Sequence, residues 1–158
     1  MEWTALIGTG LGAVVGVGST LAADRLRWRR DTHERERANL QLLYAEFIEA
    51  LLKARDAIDQ VSKQTDRSPQ ERGQLVRDVI ADHGAYTKEY QLELIAPAPV
   101  IARVQDATYK LALYRDIVLH GATREDLPCS QARSAFREAR KALVAEMRAS
   151  LRWQFDLE

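Results

Sequence analysis

Glu46 and Glu49 stand three residues apart in a stretch of helical periodicity, which sets two carboxylates on one side of a helix. Such a pair is part of what a carboxylate metal site needs. A di-iron site among helices also requires repeated Glu-x-x-His pairs turned inward. The three histidines, His33, His83 and His120, supply no such offset, so Glu46 and Glu49 read as a solvated face. No HExxH or GxSxG motif occurs either. His33 falls in a charged stretch and His83 follows Asp82. His120 follows Asp116 by one helical turn, where a side-chain pair or a contact with a helix C-terminus is the modest expectation. Cys129 is the only cysteine, which excludes an intramolecular disulfide and a cysteine-based zinc cluster. Its Leu-Pro-Cys-Ser setting offers no activating neighbour, so the thiol reads as inert. The expectation is therefore a protein that is not an enzyme, with no catalytic residue, metal or cofactor.

Glycine density near the N-terminus raises a different possibility. Gly8-Thr-Gly10-Leu-Gly12 is not the GxGxxG of a dinucleotide loop, and Gly18-Ser19-Thr20 lacks the lysine of a P-loop. What stands out is that residues 3–23 hold no charged side chain, while the next seven carry Arg25, Arg27, Arg29 and Arg30. Twenty-one helical residues rise about 31 Å, close to a bilayer's hydrocarbon thickness. This predicts a transmembrane anchor over 1–23 in a bacterial inner (cytoplasmic) membrane. The arginines after the span place the N-terminus outside and the C-terminal domain inside. Trp3 and Trp28 would anchor at the two interfaces together with the four arginines. A cleaved signal peptide would carry its positive charge before the apolar run, not after it. A buried soluble helix would be weakened by the glycines, by about 1 kcal/mol each relative to alanine. Gly8, Gly12 and Gly16 recur every four residues, a spacing that lets helix backbones approach closely in lipid, and predict self-association.

Composition limits the remainder. The chain has 158 residues with 23 basic and 23 acidic side chains. Setting aside the first 37 residues, with six basic and five acidic side chains, leaves seventeen basic against eighteen acidic. That balance gives no global footprint for a nucleic acid, and none is expected as a partner. Arginine outnumbers lysine 18 to 5, which reads as the compositional bias expected of high-GC bacterial coding.

The elements follow from periodicity. A charged stem is expected over 24–39 and a cytoplasmic helical domain over 40–158. Leu40, Tyr44, Phe47, Leu51, Ala54, Ile58 and Val61 step by four and three, which predicts one buried face on a helix reaching about Gln64. Ser68-Pro69-Gln70-Glu71 has the N-cap, N1 and N3 residues of a capping box. The helix it opens is expected to bury Leu75, Val79, Tyr86, Tyr90 and Leu94, to be loosened at Gly84, and to stop before Pro97. A third helix opens at Pro97 or Pro99 with Ile101, Val104, Thr108, Leu111, Val118 and either Tyr114 or Arg115 inward, and ends at Gly121. After a polar loop, Ala132, Phe136, Ala139, Leu143, Met147 and Ser150 repeat at coiled-coil-like heptad spacing. Short connections between long helices predict an all-α fold, an antiparallel four-helix bundle joined to the membrane helix by a long stem.

The opening tryptophan of a Gly/Ala-rich span, the arginine-rich residues 25–37 and the Leu-Glu-Leu-Ile-Ala-Pro stretch at 92–97 resemble a group of small, uncharacterised actinobacterial single-pass membrane proteins with a cytoplasmic helical domain. The resemblance covers the arrangement of most of the chain and implies architecture, with no activity to carry over. The function expected is a membrane-anchored helical interaction or scaffold protein, forming homo-oligomers through its span, with the bilayer and an unknown protein as partners. The alternative is a membrane-bound sensor or membrane-active effector signalling through the glycine-rich span.

Overall fold

The structure is a computed structural model that describes residues 3–153, with side chains described at Trp28, at Thr32 and from Glu34 onward except at 79–83 and 153. The protein is all-α: five helices and, among the described residues, no strand. α1 spans Trp3–Ser62, α2 Pro69–His83, α3 Ala85–Glu93, α4 Ala98–Leu119 and α5 Leu127–Trp153. The chain divides into two compact units, one ending at Asn39 and one beginning at Leu40.

The first unit is the N-terminal part of α1. Among the described residues no helix is long and apolar enough to cross a membrane. The expected inner-membrane localisation, single-pass topology and transmembrane anchor over 1–23 are therefore withdrawn. Composition gives the physical reason. Gly8, Gly10, Gly12, Gly16 and Gly18, with Thr9, Ser19 and Thr20, dilute the apolar residues, and the same helix is highly charged from Asp24 onward. The packing role expected of Gly8, Gly12 and Gly16, and the anchoring role expected of Trp3, Arg25, Arg27, Arg29 and Arg30, lie outside the described side chains. Trp28 is described and is 70% exposed.

The second unit has one hydrophobic core, to which α1, α2, α3, α4 and α5 all contribute. All seven residues of the expected α1 stripe are buried, from Leu40 to Val61. α1 ends where the Ser62 hydroxyl turns back to donate to the Asp59 carbonyl at 2.8 Å. The capping box then forms as its sequence requires: the Glu71 amide donates to Ser68 Oγ at 3.3 Å, and the Ser68 amide donates to Glu71 Oε2 at 2.9 Å. Helix direction follows from the side-chain contacts. Tyr44 and Ser150 share a hydrogen bond at 3.1 Å while Asp59, further along α1, meets Arg133, earlier in α5, at 3.5 Å, so α1 and α5 run antiparallel. Gln105 donates to Glu93 at 3.2 Å and Arg115 to Tyr86 at 2.9 Å, so α3 and α4 do too.

Gly84 departs from expectation. It adopts φ +61°, a left-handed conformation that caps α2 and starts α3 as a separate helix. A left-handed residue resets the helical phase, so the apolar series read across it fails. Before it, Leu75 packs partly buried against the core and Val79 lies outside the described side chains; after it, Ala85, Leu92 and Ala96 are buried, whereas Tyr86, Tyr90 and Leu94 are exposed, Leu94 at 84%. α5 also begins earlier than expected, at Leu127, with Pro128 inside its first turn where a missing N–H costs little.

Candidate functional site

The most concentrated polar chemistry of the described residues gathers where α1 ends, α4 ends and α5 begins. Its centre is Asp59, which follows Ile58 on the buried side of α1. Tyr114 of α4 donates its hydroxyl to Asp59 Oδ1 at 3.3 Å. Arg124, in the connection between α4 and α5, pairs with Oδ2, and Lys63 reaches the same oxygen at 3.0 Å. Arg133 of α5 stands 3.5 Å from Oδ1. One carboxylate thus meets three cations and a phenol drawn from α4, α5 and the connections that follow α1 and α4. The Arg124 amide also donates to the carbonyl of Ser62 at 3.0 Å, which ties the loop to the end of α1.

The electrostatics follow from the partners. Burial pulls the Asp59 carboxyl upward, but the bonds from Lys63 and Arg124 and their positive charges outweigh it, so its pKa lies below the usual carboxylate range. Burial pushes the Tyr114 phenol well above its ordinary value, which keeps its proton on the bond to Asp59. Cys129 sits in the same cluster at 1% exposure, and burial pushes its thiol up as well. A protonated, enclosed thiol is a poor nucleophile. The Asp59 cluster can therefore hold charge and fix geometry; it presents no activated group to a substrate.

A buried cation, Arg72, locks the neighbouring connection. Arg72 of α2 donates to the carbonyls of Gln64 and Gly121, so one guanidinium closes both loops at this end. Gly121 reaches φ +99°, and a Cβ added there would stand 3.5 Å from Pro69 Cβ. Glycine is required for the angle more than for the space.

The residues singled out by sequence fare as follows. Glu46 and Glu49 are drawn to different lysines: Glu46 pairs with Lys88 of α3, and Glu49 with Lys53 at 2.6 Å. His120 Nδ1 lies 2.7 Å from the Asp116 carbonyl, and since a carbonyl only accepts, the ring donates there. His33 and His83 lie outside the described side chains. Of the two residues left open on α4, Tyr114 is buried, while Arg115 pairs outward with Asp116 at 2.7 Å. Among the described residues no three histidine, cysteine or acidic side chains gather as a metal site. Sequence reasoning missed Asp59 as a centre because, Lys63 apart, its partners come from positions 114, 124 and 133, which no local motif joins to it. The available signal was Asp59 beside Ile58 of the buried stripe, with Lys63 four residues on. In comparisons with known proteins the chain matches no protein family, no curated protein and no solved structure.

Proposed function

We propose that the chain is a self-associating helical interaction module, in which the residues from Leu40 onward make an antiparallel four-helix bundle with α2 and α3 together as its second arm. One observation carries the reading: large apolar side chains exposed on α3, on α4 and in the turn between them. Tyr90 is 69% and Tyr109 63% exposed, and Tyr86, Leu94, Ile95 and Leu113 are exposed beside them in sequence. Single exposed apolar residues need no explanation, but six on two helices that pack against each other and in the turn between them do. Three of them are tyrosines, which are favoured at interfaces because they combine apolar area with a polar tip.

The occupant proposed is a second copy of this chain. At roughly 150–250 Å² for a fully buried aromatic side chain, these residues offer on the order of 600 Å². That approaches the ~800 Å² per partner of a standard interface. Zero formal net charge leaves little repulsion between copies.

Light scattering coupled to size exclusion on the full chain tests this. The native chain is expected to run as a dimer, and the double variant Tyr90→Glu, Tyr109→Glu as a folded monomer. A native chain that stays monomeric at every concentration, or a variant that dimerises as well as the native chain, would overturn the proposal.

A further inference from the structure

We infer that the groove between α1 and α5 binds a diphosphate. Its volume is about 240 Å³ and its lining is Leu52 and Arg55 of α1 with Arg133, Phe136, Arg137 and Arg140 of α5. Four of the six lining residues are arginines, and none is acidic. The three on α5 are spaced i, i+4 and i+7, which sets them in one row along the helix.

The charges at the groove do not cancel. Arg55 is held by exposed Asp56 at 3.0 Å. Arg133 shares Asp59 with Arg124 and Lys63, so that carboxylate is already outnumbered. Arg137 and Arg140 have no carboxylate partner among the described residues, and neighbouring Glu138 pairs with Lys141 at 2.9 Å. Like charges three and four residues apart on a helix repel. The row therefore weakens the empty protein and is relieved by an anion.

The chemistry selects the anion. Guanidinium groups are planar forks that bond phosphate oxygens two at a time, and they remain charged at any physiological pH. With Asp59 already matched by Lys63 and Arg124, the four lining arginines against Asp56 leave an excess of three positive charges. Two phosphoryl groups, each carrying ~1.5–2 negative charges, match that excess. The volume equals about eight waters at the ~30 Å³ each occupies in the liquid, enough for a diphosphate head but not for a long polymer. Buried Phe136 and half-buried Leu52 give the arginine stems an apolar floor to lie along. This inference does not rest on self-association, since the exposed apolar residues of that proposal lie on α3, α4 and the turn between them.

The test is isothermal titration of the full chain with inorganic phosphate, pyrophosphate, a nucleoside diphosphate and a short single-stranded oligonucleotide at physiological salt. Pyrophosphate is expected to bind at one site with a dissociation constant below about 1 mM, and phosphate at least tenfold more weakly. A nucleoside diphosphate tighter than pyrophosphate identifies an organic diphosphate as the ligand; equal affinity identifies the head group alone. Arg137→Gln with Arg140→Gln should weaken pyrophosphate at least tenfold, while Arg103→Gln, an exposed arginine of α4, leaves it unchanged. In the absence of ligand the double variant should melt at a slightly higher temperature than the native chain, which arginines serving only to cover Phe136 would not produce. No pyrophosphate binding, equal losses in the α4 control, or an oligonucleotide that binds more tightly than pyrophosphate would overturn the assignment.

Discussion

The Asp59 cluster and the arginine groove share Arg133, yet they treat charge in opposite ways. At Asp59 one carboxylate is enclosed by Lys63, Arg124, Arg133 and the Tyr114 hydroxyl, and each partner comes from a different part of the chain. In the groove, Arg137 and Arg140 stand beside Arg133 and Arg55 with no carboxylate of their own among the described residues. A buried charge that has its partners fixes how helices meet. Charges left without partners are tolerable only at a surface, where water or a ligand completes them. The difference separates a device that organises the protein from a feature aimed outside it, although both are built from arginine.

The contrast can be broken most forcefully at its buried member. Asp59→Ala leaves three cations facing one another and should destabilise the fold by about 3 kcal/mol, toward the low end for a broken buried pair because those cations are partly exposed. Thermal melting should then drop by roughly 6–12 °C for a chain of this size. An unchanged midpoint would place Asp59 among the ordinary surface residues. Acid should act on the same group. Its folded pKa lies below the unfolded value, so its contribution is complete above about pH 4 and disappears as pH falls through the lower folded value. Stability measured from pH 6 down to pH 2 should decline less steeply in Asp59→Asn than in the native protein. Tyr114→Phe removes one hydrogen bond and keeps the packing, so a loss of about 1 kcal/mol is expected by denaturant titration. The smallest effect should have the opposite sign. Arg137→Gln should raise stability by about 0.3 kcal/mol without ligand, because it removes a like-charge neighbour. A decrease would show that the groove arginines support the fold after all.

How far this architecture can be read from the chain depends on how local each cause is. The α1 stripe was legible because one uninterrupted helix keeps its phase, and every residue from Leu40 to Val61 in that series is buried. The capping box at Ser68 was legible because all its atoms fall within four residues. Heptad spacing also placed the buried face of α5, down to Ser150 meeting Tyr44. Reading failed at Gly84, where a single left-handed residue shifts every later side chain, so Tyr90 and Leu94 emerge on the surface while Leu92 enters the core. It failed at Asp59 for a different reason: the partners of a buried charge are chosen by tertiary approach, and sequence distance conceals them. The arginine row on α5 was visible as letters, but only the presence of α1 opposite makes it one wall of a groove.

Cys129 turns the sealed end of the helices into its own reporter. It is the only thiol in the chain, and it sits buried where α1, α4 and α5 meet. A thiol reagent added to the native protein must wait for that end to open, so with reagent in enough excess to outpace reclosing the labelling rate counts spontaneous openings as a clock counts seconds. Since no second sulfur competes for the reagent, one absorbance trace on the unmodified protein would time the parting of α5 from its neighbours.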